Sequence, residues 1–464
     1  MSSTRLLDRV PALEKALHAL RQHHHVPGAS LAIQQYDAVV ELSSGVANVR
    51  TGVTVTPDTL FQIGSNTKLY TTSLVMQLVE EGRVELDSPV ITYLPDFRLK
   101  DPEAAAHVTV RQLLNHTSGI EGDHFEAFGP GDESLARYVE SMAHLGQIHE
   151  PGERFSYCNS AFVAAGRLLE VVLGRRYHEV LAERLLRPLG LKHTTVLIEE
   201  MIGHRYAVGH YFDEAGAARV VAQIMMDRSA APAGSLTSAS AADVLGFVRM
   251  HLNGGRAPDG TAVLSASSVA LMQSPTVARP GSPGGRGQQG LGWRTDQWDG
   301  HRVIGHGGGT IGQLSFLEVM PDDGLAVVLL TNAPSGARLW RDLGQYVFQA
   351  LAGVEMPGPV RPTGEAPRLP LNLYAGAYER LSQRVEIRHD DAGVADELQA
   401  TLIPTGPLAA FDEEAERIRL RPLDREHFYY STRDGDEGVF TFDDFDADGR
   451  PGTVFSGRLA RRVG

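Results

Sequence analysis

The chain of 464 residues lacks several features that would place it in particular classes of protein. It has a single cysteine, Cys158, so an internal disulfide is excluded and a reducing compartment is favoured. Its formal net charge of −14 does not suit a general nucleic-acid surface. It has no apolar run long enough for a membrane span, and its N-terminus lacks the apolar core of a secretory signal. We therefore predict a cytoplasmic protein with no nucleic-acid partner and no membrane partner.

Lysine is also scarce, because four lysines stand beside 39 arginines. One of them, Lys68, follows Ser65 by three positions in the segment Phe61-Gln-Ile-Gly-Ser-Asn-Thr-Lys68. A guanidinium stays protonated at any working pH, whereas a desolvated lysine amine can lose its proton and act as a base. If a helix begins at Ser65, position i+3 lies on the same face one turn further on. The two residues therefore form a candidate nucleophile with its own base.

Ser-x-x-Lys alone is a weak pattern, since it also occurs at the start of ordinary surface helices. The residues that follow favour the catalytic interpretation. Residues 67–81 predict a helix with an apolar stripe, and Gly82 provides a stop signal. The start of a largely buried helix is an unusual place for a solvated lysine amine.

Strand patterns lie at both ends of the first 350 residues, and helical patterns fill the middle. We predict strands over residues 29–34, 38–47, 291–294, 302–306, 313–320 and 324–331, and helices over residues 5–24, 160–173, 177–189, 239–253 and 338–353. The result is an α+β fold, in which one antiparallel sheet built from both chain ends is flanked by helices and packs beside an all-helical region.

A different pattern follows the proline-rich segment 356–370. Period-two alternation with acidic turns predicts short strands over residues 384–389, 398–403, 417–420, 427–431, 439–442 and 453–459. We therefore predict a first domain over residues 1–355, a linker over 356–370 and a small antiparallel β-barrel over 371–464.

Tyr157-Cys158-Asn159 is a second candidate element of a site. In an extended segment, residues i and i+2 point the same way, so a phenol and an amide would face one site together while the thiol points away. A tyrosine can relay a proton, and an asparagine can bond a carbonyl or an amine. A loop tyrosine beside a structural asparagine is the alternative interpretation, and it is the better one for this pair taken alone.

The glycine-rich segment Gly305-His-Gly-Gly-Gly-Thr-Ile-Gly312 is the third candidate element. It satisfies G-x-G-x-x-G, but the residues that follow alternate as a strand and not as the helix that a dinucleotide site requires. We interpret it as an edge strand kept bare so that a substrate backbone can approach. His306 supplies its functional side chain, with a structural histidine as the alternative.

Taken together, the three elements resemble the serine β-lactamase and penicillin-binding protein superfamily in order and spacing. The similarity covers roughly residues 10–350 and is strongest to the class C-like branch, which includes D,D-peptidases, D-aminopeptidases and esterases. Supporting stretches are Leu113-Leu-Asn-His-Thr-Ser-Gly119, Pro151-Gly-Glu-Arg-Phe-Ser-Tyr157 and Pro232-Ala-Gly-Ser-Leu-Thr-Ser238. The tail, which opens with Tyr374-Ala-Gly-Ala-Tyr378, resembles the lipocalin-like barrel of some members.

This resemblance implies a role for each residue. Ser65 would attack an acyl carbon and Lys68 would take its proton. Tyr157 would relay a proton to the leaving group. Asn159 would orient both the substrate and the Lys68 amine. His306 stands where most relatives have a lysine.

The glycines of the third element would serve the substrate. The resemblance implies an oxyanion hole built from the backbone N–H groups of Ser65 and Gly309. It also makes Gly307 and Gly308 part of the substrate-binding strand. Gly307 replaces the threonine or serine of the family motif, whose hydroxyl helps to hold a substrate carboxylate. That departure weakens the case for efficient β-lactam hydrolysis and for plain D,D-carboxypeptidase activity.

We therefore expect a serine acyl-transfer enzyme that forms a Ser65 acyl-enzyme with a small-molecule or peptide substrate. It would hydrolyse esters or amides, including those with D-residues, or pass the acyl group to an amine. An alternative is a penicillin-binding-protein-type thioesterase that takes a peptidyl thioester from a carrier protein and cyclises it head to tail. A second alternative is a catalytically silent ligand-binding protein on the same fold.

No metal or cofactor is expected. The run His23-His24-His25 does not place its rings on one helix face, so a polar helix end is the better interpretation. The segment from Asp444 to Gly449 imitates the start of an EF-hand loop, but its twelfth position is Phe455 and not glutamate.

Overall fold

The computed structural model describes residues 4–281, 287–358, 360–364, 366–389, 397–410, 415–432 and 437–463. Its α-helices in this part of the chain are α1 Thr4–Leu7, α2 Val10–His23, α3 Thr67–Glu80, α4 Pro102–His107, α5 Val110–Leu114, α6 Ser134–Ser141, α7 Asn159–Leu173, α8 Tyr177–Leu181, α9 Arg187–Leu189, α10 Ala241–Leu252, α11 Ala266–Gln273 and α12 Gly336–Leu351.

The strands of the first 350 residues are β1 Gly28–Gln35, β2 Ala38–Gly45, β3 Phe61–Gln62, β4 Thr194–Thr195, β5 His210–Phe212, β6 Ala218–Val220, β7 Ser238–Ala239, β8 Val277–Ala278, β9 Gln288–Gln289, β10 Arg294–Trp298, β11 His301–Thr310, β12 Gln313–Met320 and β13 Leu325–Thr331. Eight of them form one antiparallel sheet in the order β2-β1-β13-β12-β11-β10-β9-β8. The predicted sheet, built from both chain ends, is therefore confirmed.

Helices cover both faces of this sheet. On one face α2 and α12 pack in a core that contains Leu31, Ile33 and Trp340. On the other face lies the larger core, which contains Ala32 together with residues of α3, α7 and α10. Because neighbouring residues of a strand point to opposite faces, a strand covered on both sides has to be apolar throughout. This explains the uninterrupted apolar run Leu-Ala-Val-Val-Leu-Leu of β13, which is fully buried.

The C-terminal strands are β14 Gly376–Arg380, β15 Gln383–His389, β16 Leu398–Pro404, β17 Glu416–Pro422, β18 His427–Ser431, β19 Glu437–Asp443, β20 Thr453–Phe455 and β21 Leu459–Val463. They form a closed antiparallel barrel in chain order, and β14 pairs with β21 to complete it. The predicted small barrel is confirmed. The division at residues 355 and 370 stays a prediction.

Several predicted boundaries were wrong for local reasons. Residues 453–459, predicted as one strand, are β20 and β21, because Ser456 donates its N–H across a turn to the Arg458 carbonyl and Gly457 has a φ of +79°. The predicted helix 5–24 is broken into α1 and α2, and Pro11 lies in the first turn of the second of these. Ala239 pairs in strand β7, so α10 begins only after its cap, Ser240.

The barrel lies against the first domain beside the segment that leads into α7. Phe155 and Phe455 contact each other with ring centroids 6.0 Å apart. Arg154 forms an ion pair with Asp444, with Nη1 2.9 Å from a carboxylate oxygen. Arg461 Nε donates to the Ile148 carbonyl at 2.9 Å. The barrel is therefore held by apolar contacts, by charge and by backbone groups at the same edge of the first domain.

Candidate active site

Ser65 and Lys68 lie at the start of α3, within contact of each other. Ser65 stands in a single 3₁₀ turn, Gly64–Asn66, that runs directly into the helix, so the helix begins two residues later than Ser65. The Lys68 Nζ atom is 3.0 Å from Ser65 Oγ and donates to the Ala233 carbonyl at 2.6 Å. Lys68 has no solvent exposure, whereas Ser65 is partly exposed. The hydroxyl therefore faces the solvent side, and the amine lies beneath it.

Burial lowers the pKa of Lys68 well below its ordinary value, and the nearby Arg458 cation lowers it further. Cys158 and Asp123 oppose this shift by stabilising the ammonium form. The effect of burial is the larger one, because a charge in a low-dielectric interior loses its hydration. A neutral amine has a lone pair that can accept the hydroxyl proton of Ser65.

Two glycines allow the Ser65 turn to form where it does. Gly64 has a φ of +52°, and a Cβ atom on it would lie 2.7 Å from the Gly309 nitrogen. A Cβ on Gly234 would lie 2.1 Å from the Gly64 carbonyl oxygen. Only glycine fits such positions. On the other side, Asn66 Nδ2 donates to Ser315 Oγ at 2.9 Å, which ties the turn to β12.

Tyr157 and Asn159 approach the serine from the start of α7. Cys158 between them is extended, with φ −133° and ψ 113°, and its buried thiol accepts from the Ala161 N–H as the helix cap. Both neighbouring side chains line the same cavity as Ser65. The Lys68 Nζ atom lies 4.9 Å from the centre of the Tyr157 ring. Burial raises the pKa of Tyr157, while its hydrogen bond with Ser65 and the Arg458 cation oppose the rise, so the phenol holds its proton at neutral pH.

His116 supports this segment from below, although the sequence analysis assigned it no role. Its ring stacks on Tyr157 with centroids 4.2 Å apart, and its Nδ1 accepts from the Cys158 N–H at 3.0 Å. Burial lowers the pKa of His116 well below its usual range. His116 has a φ of +63°, a conformation that few residues with a side chain adopt. The family-like stretch Leu113 to Gly119 was the available signal for this residue.

His306 lies on β11, and its Nδ1 is 2.6 Å from the Gly307 carbonyl oxygen. Burial, followed by repulsion from Lys68, lowers the pKa of His306 to about 3, so the ring is neutral. Its centroid is 6.3 Å from that of Tyr157. The imidazole is therefore close to the other candidate groups, but it is buried and does not line the cavity itself.

The glycine-rich part of β11 has one open edge. Strand β10 pairs with residues 301–305, whereas residues 306–310 pair with β12 on the other side and, in the described part of the chain, have no strand opposite on the β10 side. The open edge predicted from the sequence is therefore confined to residues 306–310, the second half of β11, which is an inner strand of the sheet. Gly309 lines the cavity with Ser65, which suits the predicted oxyanion hole. Gly307 and Gly308 do not line the cavity, and their substrate contact stays a prediction.

The cavity has a volume of about 960 Å³ and is walled by both domains. The first domain contributes Ser65, Tyr157 and Asn159, and apolar walls come from Phe125, Met226 and Ile311. The barrel contributes Arg380, Ser382, Gln383, Pro404, Phe455 and Arg458. A cavity of this size is at the upper end of the usual range for small-molecule sites.

Asp123 and Arg458 are site residues that the sequence analysis missed. Arg458 Nε lies 2.6 Å from a carboxylate oxygen of Asp123, and its guanidinium carbon is 5.0 Å from the centre of the Tyr157 ring. Asp123 in turn accepts from Asn159 Nδ2 at 3.2 Å. These residues are far apart in the chain and match no local motif, so no sequence signal identified them.

Comparisons with known proteins agree with this geometry. The Beta-lactamase family model matches residues 13–352. The chain is also 42% identical over 370 residues to penicillin-binding protein 4 of Amycolatopsis lactamdurans, covering 79% of this chain and 97% of the relative. The chain therefore belongs to the Beta-lactamase family, whose members are typically serine hydrolases.

Two solved structures extend the comparison. SurE is 26% identical and superposes with a TM-score of 0.77 over 99% of this chain and 100% of its own, and a structure of SurE with D-Leu matches in the same way. A D-stereospecific amidohydrolase from Streptomyces sp. is 28% identical, with a TM-score of 0.57 over 74% of this chain and 98% of its own. SurE is thus similar over the barrel as well as the first domain.

Among the described residues, no helix has both the length and the apolar character that crossing a membrane would require.

Proposed function

We propose that the protein is a serine acyl-transfer enzyme that works through an acyl-enzyme on Ser65. The observation that carries this proposal is the buried Lys68 amine 3.0 Å from Ser65 Oγ, with a pKa lowered by burial. A structural lysine would be solvated or paired with a carboxylate, whereas this amine meets a hydroxyl and a backbone carbonyl. A neutral amine next to a partly exposed hydroxyl is what a general base and its nucleophile require.

The reaction has two halves. In the first, Lys68 takes the Ser65 proton as the serine oxygen bonds to the acyl carbon, and the Ser65 and Gly309 N–H groups stabilise the oxyanion. The leaving group departs with a proton relayed by Tyr157, which leaves Ser65 as an ester. In the second half, water or an amine loses a proton to the same relay and attacks that ester. The products are then an acid or an amide, together with the free Ser65 hydroxyl.

We propose that the acyl group is a peptidyl group or a small apolar acyl group. The residue that supplies the reacting carbonyl would be a D-residue. Three observations support this. The cavity is large and its walls are mostly apolar. A SurE structure contains D-Leu, and a second similar structure is named as a D-stereospecific amidohydrolase. Gly307 offers no hydroxyl to a free carboxylate, so an ester, thioester or amide suits the site better than a terminal D-alanine.

A second candidate function is head-to-tail cyclisation of a peptidyl thioester delivered by a carrier protein. The similarity to SurE extends over the barrel, and the barrel closes one side of the cavity. A peptide bound in this cavity would displace water from it, which favours an amine of the same peptide as the second nucleophile. The carrier protein would be the natural partner in this case.

The nucleophile is tested with Ser65→Ala and a matched control, Ser235→Ala, which removes another hydroxyl that lines the cavity. We expect a fluorophosphonate probe to add one label to the wild type and to Ser235→Ala, and none to Ser65→Ala, by intact mass. A label that persists in Ser65→Ala would assign the chemistry to another residue. No label and no turnover in the wild type would instead favour a ligand-binding protein.

The two fates of the acyl-enzyme are separated by a peptidyl thioester that carries its own free amine. Mass spectrometry distinguishes the linear acid from the cyclic amide, because the two products differ by one water. Matched substrates that end in a D- or an L-residue test the stereochemical part. Equal rates for both would contradict the D-residue proposal while leaving the acyl-enzyme intact.

A further inference from the structure

Asp123 joins the barrel to a proposed catalytic side chain. It stands in the loop between α5 and α6 and is 4% exposed. One carboxylate oxygen accepts from Asn159 Nδ2 at 3.2 Å. The other accepts from Ser382 Oγ at 2.9 Å and lies 2.6 Å from Arg458 Nε. A buried carboxylate thus has one partner on the first domain and two on the barrel.

The two barrel partners belong to neighbouring turns. Ser382 lies between β14 and β15, and Arg458 lies between β20 and β21. Strands β14 and β21 pair with Glu379 opposite Arg461, which brings both turns to the same end of the barrel. Ser382 is buried, with 3% of its surface exposed. The barrel therefore presents a hydroxyl and a cation side by side to one carboxylate.

An ionised carboxylate can only accept hydrogen bonds. Asn159 must therefore turn its Nδ2 towards Asp123, which leaves its Oδ1 free to face elsewhere in the site. If a side chain that also donates replaced Asp123, or if Asp123 moved with the barrel, the amide could rotate and exchange its donor and acceptor ends. The orientation of Asn159 is thus determined by a residue whose own position depends on the barrel.

We infer that Asp123 is a positioning residue through which the barrel sets the orientation of Asn159. This inference rests on the proposed acyl transfer, for which the family resemblance gives Asn159 the role of orienting the substrate. It assigns the barrel a part in the chemistry of the site, in addition to its part in enclosing the substrate.

The variants are Asp123→Asn, which keeps the shape but can donate as well as accept, and Ser382→Ala, which removes one barrel partner. Arg154→Ala is the matched control, since it removes a partly exposed contact between the first domain and the barrel, to Asp444, and neither residue lines the cavity. We expect Asp123→Asn to lower kcat for an ester substrate roughly 10- to 100-fold, because small displacements of a positioned group have effects of that size. Ser382→Ala should act in the same direction with a smaller effect, and Arg154→Ala should stay near wild type.

A double-mutant cycle separates positioning from folding. In an Asn159→Ala background, Asp123→Asn should have little further effect on kcat, because the residue it orients is gone. An equal loss in both backgrounds would overturn the inference, as would equal losses in Asp123→Asn and Arg154→Ala. Thermal melting of each variant shows whether it folds. If Asp123→Asn does not fold, Ser382→Ala provides the test.

The two proposals fail differently. If the wild type acquires no label on Ser65 and turns over no ester, the acyl-transfer proposal is wrong. If the wild type is active and Asp123→Asn is equally active, the positioning role of Asp123 is wrong while acyl transfer stands.

Discussion

Replacing Lys68 with arginine separates charge from basicity at the centre of the site. The Lys68 amine is 3.0 Å from Ser65 Oγ and 2.6 Å from the Ala233 carbonyl, with no exposed surface. Lysine can be neutral in such a place, whereas a guanidinium cannot be deprotonated in a protein. Lys68→Arg therefore retains a positive charge and removes the lone pair that would accept the Ser65 proton.

The size of the expected loss follows from the role. General-base catalysis typically contributes about 10²- to 10⁴-fold, which corresponds to roughly 3–5 kcal/mol of activation free energy. Loss of the optimal position of Ser65 would add to this, because the longer arginine has to displace a buried neighbour. We therefore expect labelling of Ser65 by the fluorophosphonate probe to slow by at least about 100-fold.

The assay is the second-order rate of probe labelling, followed by intact mass, with ester turnover as a second readout. Lys192→Arg, at an exposed position, makes the same chemical change and should label at the wild-type rate. A circular dichroism melt shows whether Lys68→Arg folds. If the folded variant labels within about threefold of the wild type, Lys68 is not the base and the proposed mechanism is refuted.

Two further predictions concern protonation states. At pH values between the lowered pKa of Lys68 and its ordinary value of 10.5, the amine is neutral in the folded protein and protonated in the unfolded chain. The unfolded chain therefore binds one more proton in this pH range. The unfolding free energy of the wild type should therefore rise with pH relative to that of Lys68→Met. The rise should be about 1.4 kcal/mol for each unit of pKa shift, measured in parallel urea titrations. A constant difference from pH 7 to 10 would contradict a lowered pKa. His306, with a pKa of about 3, should stay neutral, so its ring resonances should not titrate between pH 5 and 8. These resonances are assigned by comparison with His306→Gln. A titration midpoint in that range would show that the ring can become charged.

Local spacing was enough to predict the first half of the site. Ser65 and Lys68 are three residues apart at a helix start, and helical geometry alone brings two such side chains to one face. Tyr157 and Asn159 are two residues apart around the extended residue Cys158, which is a local property as well. Their assignment as catalytic residues stays a prediction until the variants are measured.

The pattern of alternation predicted most of the strands but not all of their ends. Strand β14 was missed, since Gly376–Arg380 alternates weakly and opens with a glycine. The turn at Ser456–Arg458 was also missed, so that β20 and β21 were merged. The first error falls where a few residues of weak propensity are held in a sheet by pairing with the distant strand β21, an effect that a local window cannot contain. The second is a tight local turn, in which Gly457 has a φ of +79°.

The amino-acid sequence by itself determined the family, the central sheet, the barrel and the candidate Ser65–Lys68 pair, because each depends on spacings of a few residues. Only the tertiary structure brought Asp123, Ser382 and Arg458 together and made the barrel one wall of the cavity. The reason is that these contacts join a loop of one domain to two turns of another, more than 250 positions away along the chain. Their distances depend on how whole sheets pack, and no short stretch of residues encodes that packing.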